Sequence, residues 1–410
     1  MKKKILLIIA PFKFTNFYTA RYELPFLQKE FNIDIKIHQL IDYAHPQYKK
    51  AFMHDVENIY EVQNYKNFKT WKKSIFELVK NNSSNITILS DIDNRNFKEL
   101  KINYILKKLD IPIIQFKSPS SPQVKDKNLT SNFFHKFKRM LKFPKNAAFY
   151  FIYNINKFIE NYFNLLPTHI IKAGSANQYI SRDQSHSLSK IYLKKKVEVI
   201  EGNSYDYSNY LVANKKNEYK KTNKICIFLD SSSPKFEGDS LLVGQQHIRT
   251  AEKWFPSVVK FFDNLENLLQ AKVLIAPHPK TKHIKFPPYF GGREMSDKRL
   301  SEISSLGDIF ITVESTAASL SVIHKKPILL LYSDEIKKSE VYMSNLNYFA
   351  SELGTTLINV DDPFDKNQIL QNLKINEKKY ESYKLKYIST LKSNKPNYKI
   401  LGDLIETLIK

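Results

Sequence analysis

Cysteine, glycine, acidic residues and long apolar runs are all scarce in this chain of 410 residues. The single cysteine, Cys226, cannot form an internal disulfide, which excludes a secreted disulfide scaffold and a multi-cysteine metal cluster and predicts a reducing, cytoplasmic location. No run approaches the roughly 20 apolar residues that cross a bilayer. The apolar run at 5–10 follows three lysines but is too short for a signal peptide, so we interpret it as a first β-strand.

The shortage of acidic residues leaves a net charge of +23, with 64 Lys and Arg against 41 Asp and Glu. Nucleic acid, an anionic membrane surface and anionic small substrates are the partners that such a charge favours. Biased codon usage is an alternative explanation, because Lys, Asn and Ile are abundant while glycine numbers only 9. No zinc-finger spacing or RNA-binding signature is present, so a nucleic-acid partner is not expected.

What the chain does have is ample core material, with 42% hydrophobic and 13% aromatic residues. A chain of this length is expected to form two domains, each with its own core. The polar, charged segment 214–224 predicts a linker between an N-terminal domain, 1–213, and a C-terminal domain, 225–385. The tail, 386–410, is expected to pack back across the domain interface or to form a simple terminal cap.

Short apolar strands alternate with segments of helical length in both halves, which predicts an α/β fold with parallel sheets covered by helices on both faces. Two such Rossmann-like, doubly wound units would meet at a cleft lined by the carboxyl ends of their strands. The predicted strands are 5–10, 33–37, 86–90, 111–116, 169–173, 225–229, 272–276, 309–313 and 327–332, and the predicted helices include 18–29, 247–271, 317–324 and 367–392.

Basic and aromatic residues interleave at helical spacing within segment 132–145. A basic amphipathic helix can lie on an anionic membrane face, such as the inner surface of the cytoplasmic membrane. The alternative is an ordinary surface helix of the first domain.

A histidine follows a predicted strand in the segment VLIAPHPKT, 273–281. Pro279 restricts His278 to extended geometry, so the imidazole is held at a strand tip. There it could serve as a general acid or as a cation against a donor phosphate. We expect Pro279 and Lys280 to contribute to the same binding loop, although His-Pro pairs also occur in plain turns.

A second candidate lies where the strand at 309–313 gives way to Ser315 and Thr316 and then to a helix. Free backbone N–H groups, the helix dipole and two hydroxyls together make an anion site suited to a nucleotide phosphate. The alternative is an ordinary N-cap.

Acidic residues follow the first strand of the second domain in ICIFLDSSSPKFEGD, 225–239. Inverting sugar transfer needs a carboxylate that takes the acceptor's proton, and Asp239 and Asp230 are the candidates. Asp230 could instead bond loop N–H groups, and Asp91 of the first domain is a further candidate base. Ser231 and Ser232 of the same loop are predicted to contact the donor.

These segments resemble the C-terminal half of GT-B-fold glycosyltransferases of bacterial surface-carbohydrate synthesis, in particular transferases that use CMP-activated acidic sugars. The resemblance rests on FLD at 228–230 followed by Asp239, on His278-Pro279, and on Ser315-Thr316 before a helix that ends in KKP at 325–327. It implies an acidic base, Asp239 or Asp230, with His278 contacting or protonating the donor phosphate and Ser315 with Thr316 binding it. Where sialyltransferases carry an acidic pair followed by glycine, this chain has Glu-Gly-Asp at 237–239. The stretch SYDYSNYL, 204–211, resembles a segment that precedes the linker in uncharacterised surface-carbohydrate proteins.

The predicted site offers about as many hydrogen-bond donors as one phosphate group needs, which favours a CMP-linked nonulosonic acid or Kdo over a UDP sugar. The predicted partners are therefore this donor and an anionic glycan or lipid-linked acceptor, with no metal or other cofactor. Asp91-Ile92-Asp93 has the letters of a metal motif, but we interpret it as an acceptor-facing loop. Gly292 is predicted to line the nucleotide pocket, or else to form a turn with Gly291.

Four other functions remain open at this point. They are a UDP-sugar-dependent transferase, CDP-glycerol-type polyol-phosphate transfer, sugar-nucleotide epimerisation, and a non-catalytic scaffold of a polysaccharide complex.

Overall fold

A computed structural model of the protein contains two parallel β-sheets, one in each half of the chain. The structure describes residues 3–47, 58–94, 96–118, 122, 155–156, 158–160, 162–176, 197–213, 224–231, 233–235, 248–279, 281 and 289–409. The basic segment 132–145 and residues 214–223 of the predicted linker lie outside these ranges. Lys224, which the sequence placed in the linker, is instead the first residue of a strand.

The first sheet has seven parallel strands in the order β3-β2-β1-β4-β5-β6-β7. Its interior strand β1 is buried on both faces, since Leu6 and Ile8 pack into one core cluster and Leu7 and Ile9 into another. This double burial explains why the strand is a continuous apolar run. The strands are β1 (Ile5–Ala10), β2 (Asp34–Gln39), β3 (Val62–Asn64), β4 (Ile86–Ser90), β5 (Ile113–Lys117), β6 (His169–Ala173) and β7 (Glu198–Gly202).

The second sheet has five parallel strands in the order β12-β11-β10-β8-β9. Cys226 and Phe228 of its strand β8 face one core cluster, and Ile227 and Leu229 face the other. Its strands are β8 (Lys224–Leu229), β9 (Ala271–Ala276), β10 (Ile309–Thr312), β11 (Ile328–Tyr332) and β12 (Leu357–Asn359). The predicted α/β class with two parallel sheets is confirmed, and the predicted strand positions agree with the structure to within about two residues.

The predicted helix at 18–29 is wrong as a single element, because the chain breaks between two short helices. Glu23 has a left-handed backbone, with φ 55°, and Pro25 lies in the first turn of the second helix. Proline has no backbone N–H to donate to the preceding helical turn, so residues 18–29 cannot form one continuous helix. Helices of this half are α1 (Asn16–Arg21), α2 (Leu24–Phe31), α3 (Ile41–Ala44), α4 (Phe68–Asn82), α5 (Phe97–Lys108) and α6 (Tyr205–Val212).

The predicted helix at 367–392 is likewise wrong as a single element. Asn376 caps a new helix by accepting the backbone N–H of Lys379, so the segment divides into pieces. Helices after β8 are α7 (Ala251–Leu269), α8 (Leu300–Ile303), α9 (Ser319–Ile323), α10 (Asp334–Lys337), α11 (Glu340–Leu353), α12 (Lys366–Asn372), α13 (Glu377–Tyr383) and α14 (Asn397–Leu408), with 3₁₀ turns at Ser304–Leu306 and Thr316–Ala318 and a π-helical turn at Lys384–Ile388.

The last helix, α14, packs on the first half of the molecule. Leu401 and Ile405 are fully buried in the core cluster that contains Leu6 and Ile8. Gly402 lies against Phe31 of α2, where even a Cβ atom would come within 2.3 Å of the ring. No helix within the described ranges is both long and apolar enough to cross a membrane.

Candidate active site

A cavity of about 560 Å³ lies where strand ends from the two sheets face each other. In the second sheet the strand order reverses between β8 and β10, and in the first between β1 and β4. Ligands of open α/β sheets bind at such reversal points, outside the carboxyl ends of the strands. The volume is typical of a pocket for a small molecule.

His278 lines this cavity, two residues beyond the end of β9. Its carbonyl accepts hydrogen bonds from the backbone N–H of Thr281 at 2.8 Å and from the Thr281 hydroxyl at 3.0 Å, closing a tight turn. Its own backbone N–H bonds the carboxylate of Asp230. Both ends of the residue are therefore fixed, and the half-buried imidazole is held in the cavity wall.

Asp230 also lines the cavity and is 5% exposed. Its Oδ2 lies 2.5 Å from Nζ of Lys235, whose side chain is only 3% exposed. Burial raises the pKa of Asp230, against the opposing effects of Lys235, Arg249 and the His278 N–H. The carboxylate thus ties together the loops that follow β8 and β9, which is the structural role considered above for this residue.

Ser315 and Thr316 line the same cavity as His278. The Ser315 hydroxyl accepts the backbone N–H of Ala317 at 3.2 Å, as an N-cap does, at the start of a 3₁₀ turn that leads into α9. The Thr316 hydroxyl bonds the carboxylate of Asp206, which belongs to α6 in the first half of the chain. The capping role is therefore real, and the Ser315 hydroxyl hydrogen can still be donated to a ligand.

The opposite wall comes from the first half of the chain and was not predicted from sequence. Arg21 of α1 lies over the ring of Tyr205, with 4.0 Å from its guanidinium carbon to the ring centroid. Asp206 and Asn209 continue this wall along α6. The stretch SYDYSNYL, singled out above only by resemblance, supplies one part of this wall. Arg21 belongs to the other part, in a helix whose break the sequence analysis missed.

The other predicted site residues differ in their relation to the cavity. Ser231 is not among its lining residues, and its hydroxyl accepts from the buried Arg249 and donates to the Ser233 carbonyl at 3.0 Å. Gly292 is not among the residues that line this cavity; with Gly291 it forms a turn at positive φ, the alternative considered above. Pro279 lines the cavity. Asp239, Ser232 and Lys280 lie outside the described residues, so their roles stay predictions.

Asp91 and Asp93 follow β4, as expected for a loop at the carboxyl edge of the first sheet. The Tyr22 hydroxyl donates to Asp91 at 2.5 Å, and Lys117 Nζ lies 3.1 Å from Asp93. Burial raises the pKa of Asp91 to about 6. In the described part of the chain neither carboxylate belongs to a group of three or more side chains that could hold a metal ion.

No protein-family model matches the sequence, and no curated protein matches it. Solved structures do match over nearly the full chain. The wall teichoic acid polymerase TagF is similar over 99% of this chain and 89% of its own, with 15% identity and a TM-score of 0.52. A histidine-to-asparagine variant of TagF gives 13% identity, the same coverage of both chains and a TM-score of 0.54.

The same TagF variant soaked with CDPG gives 15% identity, 99% and 89% coverage and a TM-score of 0.53. At such identities the similarity defines the fold alone. The protein has the GT-B fold, as the sequence analysis expected.

Proposed function

We propose that the protein is a GT-B transferase that moves a group from a cytidine-nucleotide donor to an anionic acceptor of a bacterial surface glycan. The observation that carries the proposal is the cavity between the two halves of the chain, with His278, Ser315 and Thr316 on one wall and Arg21 on the other. A nucleotide held by the second half would present its leaving group to an acceptor held by the first half. The protein would act in the cytoplasm, with a peripheral contact to the inner face of the membrane.

The first candidate donor is a CMP-activated acidic sugar. The His278 imidazole and the Ser315 hydroxyl together offer only a few hydrogen-bond donors, which suits one phosphate group better than two. In this scheme His278 stabilises or protonates the departing phosphate of CMP, and no metal is required. Inversion at the sugar would follow from direct attack by the acceptor hydroxyl.

The proton of the acceptor hydroxyl must pass to a base in the same step. Asp230 is poorly suited, because Lys235 and the His278 N–H already bond its carboxylate. We therefore propose Asp239, which lies outside the described residues, as the base.

The second candidate donor is CDP-linked polyol phosphate. The similarity of the fold to TagF, which was soaked with CDPG, favours this class. The same histidine would then act on the departing CMP, and the transferred group would be a polyol phosphate instead of a sugar.

Nucleotide release separates these candidates. The full-length protein is incubated separately with CMP-N-acetylneuraminic acid, CDP-glycerol and UDP-N-acetylglucosamine, and CMP and UDP are quantified. We expect CMP from one of the cytidine donors, and a drop of about a hundredfold for His278→Ala, the scale of a lost acid catalyst.

A matched control is His169→Ala, because His169 begins β6 at the opposite, amino edge of the first sheet. This variant should retain wild-type release. No CMP from any donor, or equal loss in both histidine variants, would count against the proposed chemistry.

A further inference from the structure

Arg21 is a half-buried cation in the wall of the cavity, at the last position of α1. Its guanidinium carbon lies 4.0 Å from the ring centroid of Tyr205 and 5.7 Å from that of Phe17. It also bonds the Tyr205 hydroxyl. The ring and hydroxyl of Tyr205 hold the guanidinium in the wall, and a guanidinium carries five N–H donors, so donors beyond the one bonded to Tyr205 can serve a ligand in the cavity.

Among the described residues no carboxylate lies within 4.0 Å of the Arg21 guanidinium, in contrast to that of Arg293, which contacts both Asp263 and Glu266. Asp206 and Asp91 act on Arg21 electrostatically from beyond ion-pair distance, and their carboxylates accept the hydroxyls of Thr316 and Tyr22. Placing a cation in a partly buried wall is costly unless a partner of opposite charge binds it.

The rest of the cavity reinforces this electrostatic preference. Lys298 and Arg299 lie at its exposed edge, and the one further acidic group of the wall, Asp230, is already paired with Lys235. A cleft with an excess of one charge concentrates ligands of the opposite sign.

We propose that Arg21 is the anchor for an anionic group of the acceptor, a phosphate ester or a carboxylate, across the cavity from the donor phosphate. The inference rests on the proposed function and adds to it the chemistry of the acceptor and the residue that recognises it. A guanidinium fork bonds either anion through two parallel N–H···O contacts. Arg21 thereby orients the acceptor so that its hydroxyl faces the second half of the chain.

Calorimetric titration of the full-length protein with two probes tests this assignment. Glycerol 3-phosphate represents the phosphate ester and N-acetylneuraminic acid the carboxylate, each with and without saturating CMP. We expect one of them to bind wild type, and Arg21→Gln to weaken that binding at least tenfold while CMP affinity is unchanged. Arg21→Lys, which keeps the charge but not the fork, should bind with intermediate affinity.

Lys260→Gln is the matched control, since it removes one exposed positive charge from α7 outside the cavity. It should bind the probe as wild type does. Binding of neither probe, or binding by Arg21→Gln as tight as wild type, would overturn the anchor even where CMP binds. Failure of wild type to bind any cytidine nucleotide would instead count against the proposed function, and the titrations without CMP would still decide the role of Arg21.

Discussion

Replacing Glu23 with glutamine is expected to stabilise the protein at neutral and alkaline pH. Glu23 is 1% exposed at the junction of α2, α6 and α14, and its Oε2 accepts the backbone N–H of Tyr398 at 3.0 Å. Burial raises the pKa of Glu23 from 4.5 to about 7, although the nearby Ser208 hydroxyl and the Tyr398 N–H favour the ionised form. The folded protein therefore holds a proton that the unfolded chain has released between pH 4.5 and pH 7.

The free energy of unfolding consequently falls as pH rises through this window. A shift of one pKa unit corresponds to 1.36 kcal/mol, so the raised pKa of Glu23 lowers the free energy of unfolding by about 3 kcal/mol at pH 8, about 1 kcal/mol at pH 5 and almost nothing below pH 4. Glu23→Gln removes this cost and keeps an oxygen that can accept the Tyr398 N–H.

Urea unfolding followed by circular dichroism, repeated from pH 4 to pH 8, measures the difference between Glu23→Gln and wild type. Glu77→Gln, at an exposed position of α4, is the control and should change stability little at any pH. A Glu23→Gln difference that stays constant across the pH range would show that Glu23 does not titrate with a raised pKa, because a change in packing alone gives no pH dependence.

Two further substitutions test the packing beside the candidate site and the packing of α14 on the first half of the chain. Asp230→Asn should lower the free energy of unfolding by about 3 kcal/mol, because it leaves Lys235 charged and buried. Adding Lys235→Met should recover much of this loss, and urea unfolding measures both variants. A single variant as stable as wild type would contradict the prediction. Gly402→Ala should weaken the packing of α14, because the new methyl group would clash with Phe31. We expect faster backbone hydrogen exchange in α14, and a return to the wild-type rate when Phe31→Ala is added. An unchanged exchange rate in Gly402→Ala would contradict the close contact between Gly402 and Phe31.

The strands were predictable because burial on both faces leaves a direct record in the sequence. Continuous apolar runs such as that of β1 mark the centre of a parallel sheet, and their spacing indicated the alternation with helices. Three short or polar strands, β3, β7 and β12, carry no such run, since they pair at or near sheet edges. The apolar periodicity did not indicate two helix breaks. One is caused by the left-handed backbone of Glu23 with Pro25 after it, and the other by the N-cap at Asn376.

One wall of the candidate site was predictable and the other was not. His278, Ser315 and Thr316 follow strands directly, so the rule that ligands bind at the carboxyl ends of parallel strands was enough to bring them together. Arg21 lines the cavity from the last position of α1, where its guanidinium lies over the ring of Tyr205. Contacts between residues so distant in sequence depend on tertiary packing, which no local pattern records.

A calorimetric titration of the wild-type protein and of His278→Ala with CMP tests whether the cavity binds the nucleotide. We expect CMP to bind wild type with one site per chain and His278→Ala to weaken binding at least tenfold, a loss of about 1.4 kcal/mol or more. Absence of CMP binding to wild type, or equal affinity in the two proteins, would contradict the claim that the cavity holds the phosphate of a cytidine nucleotide.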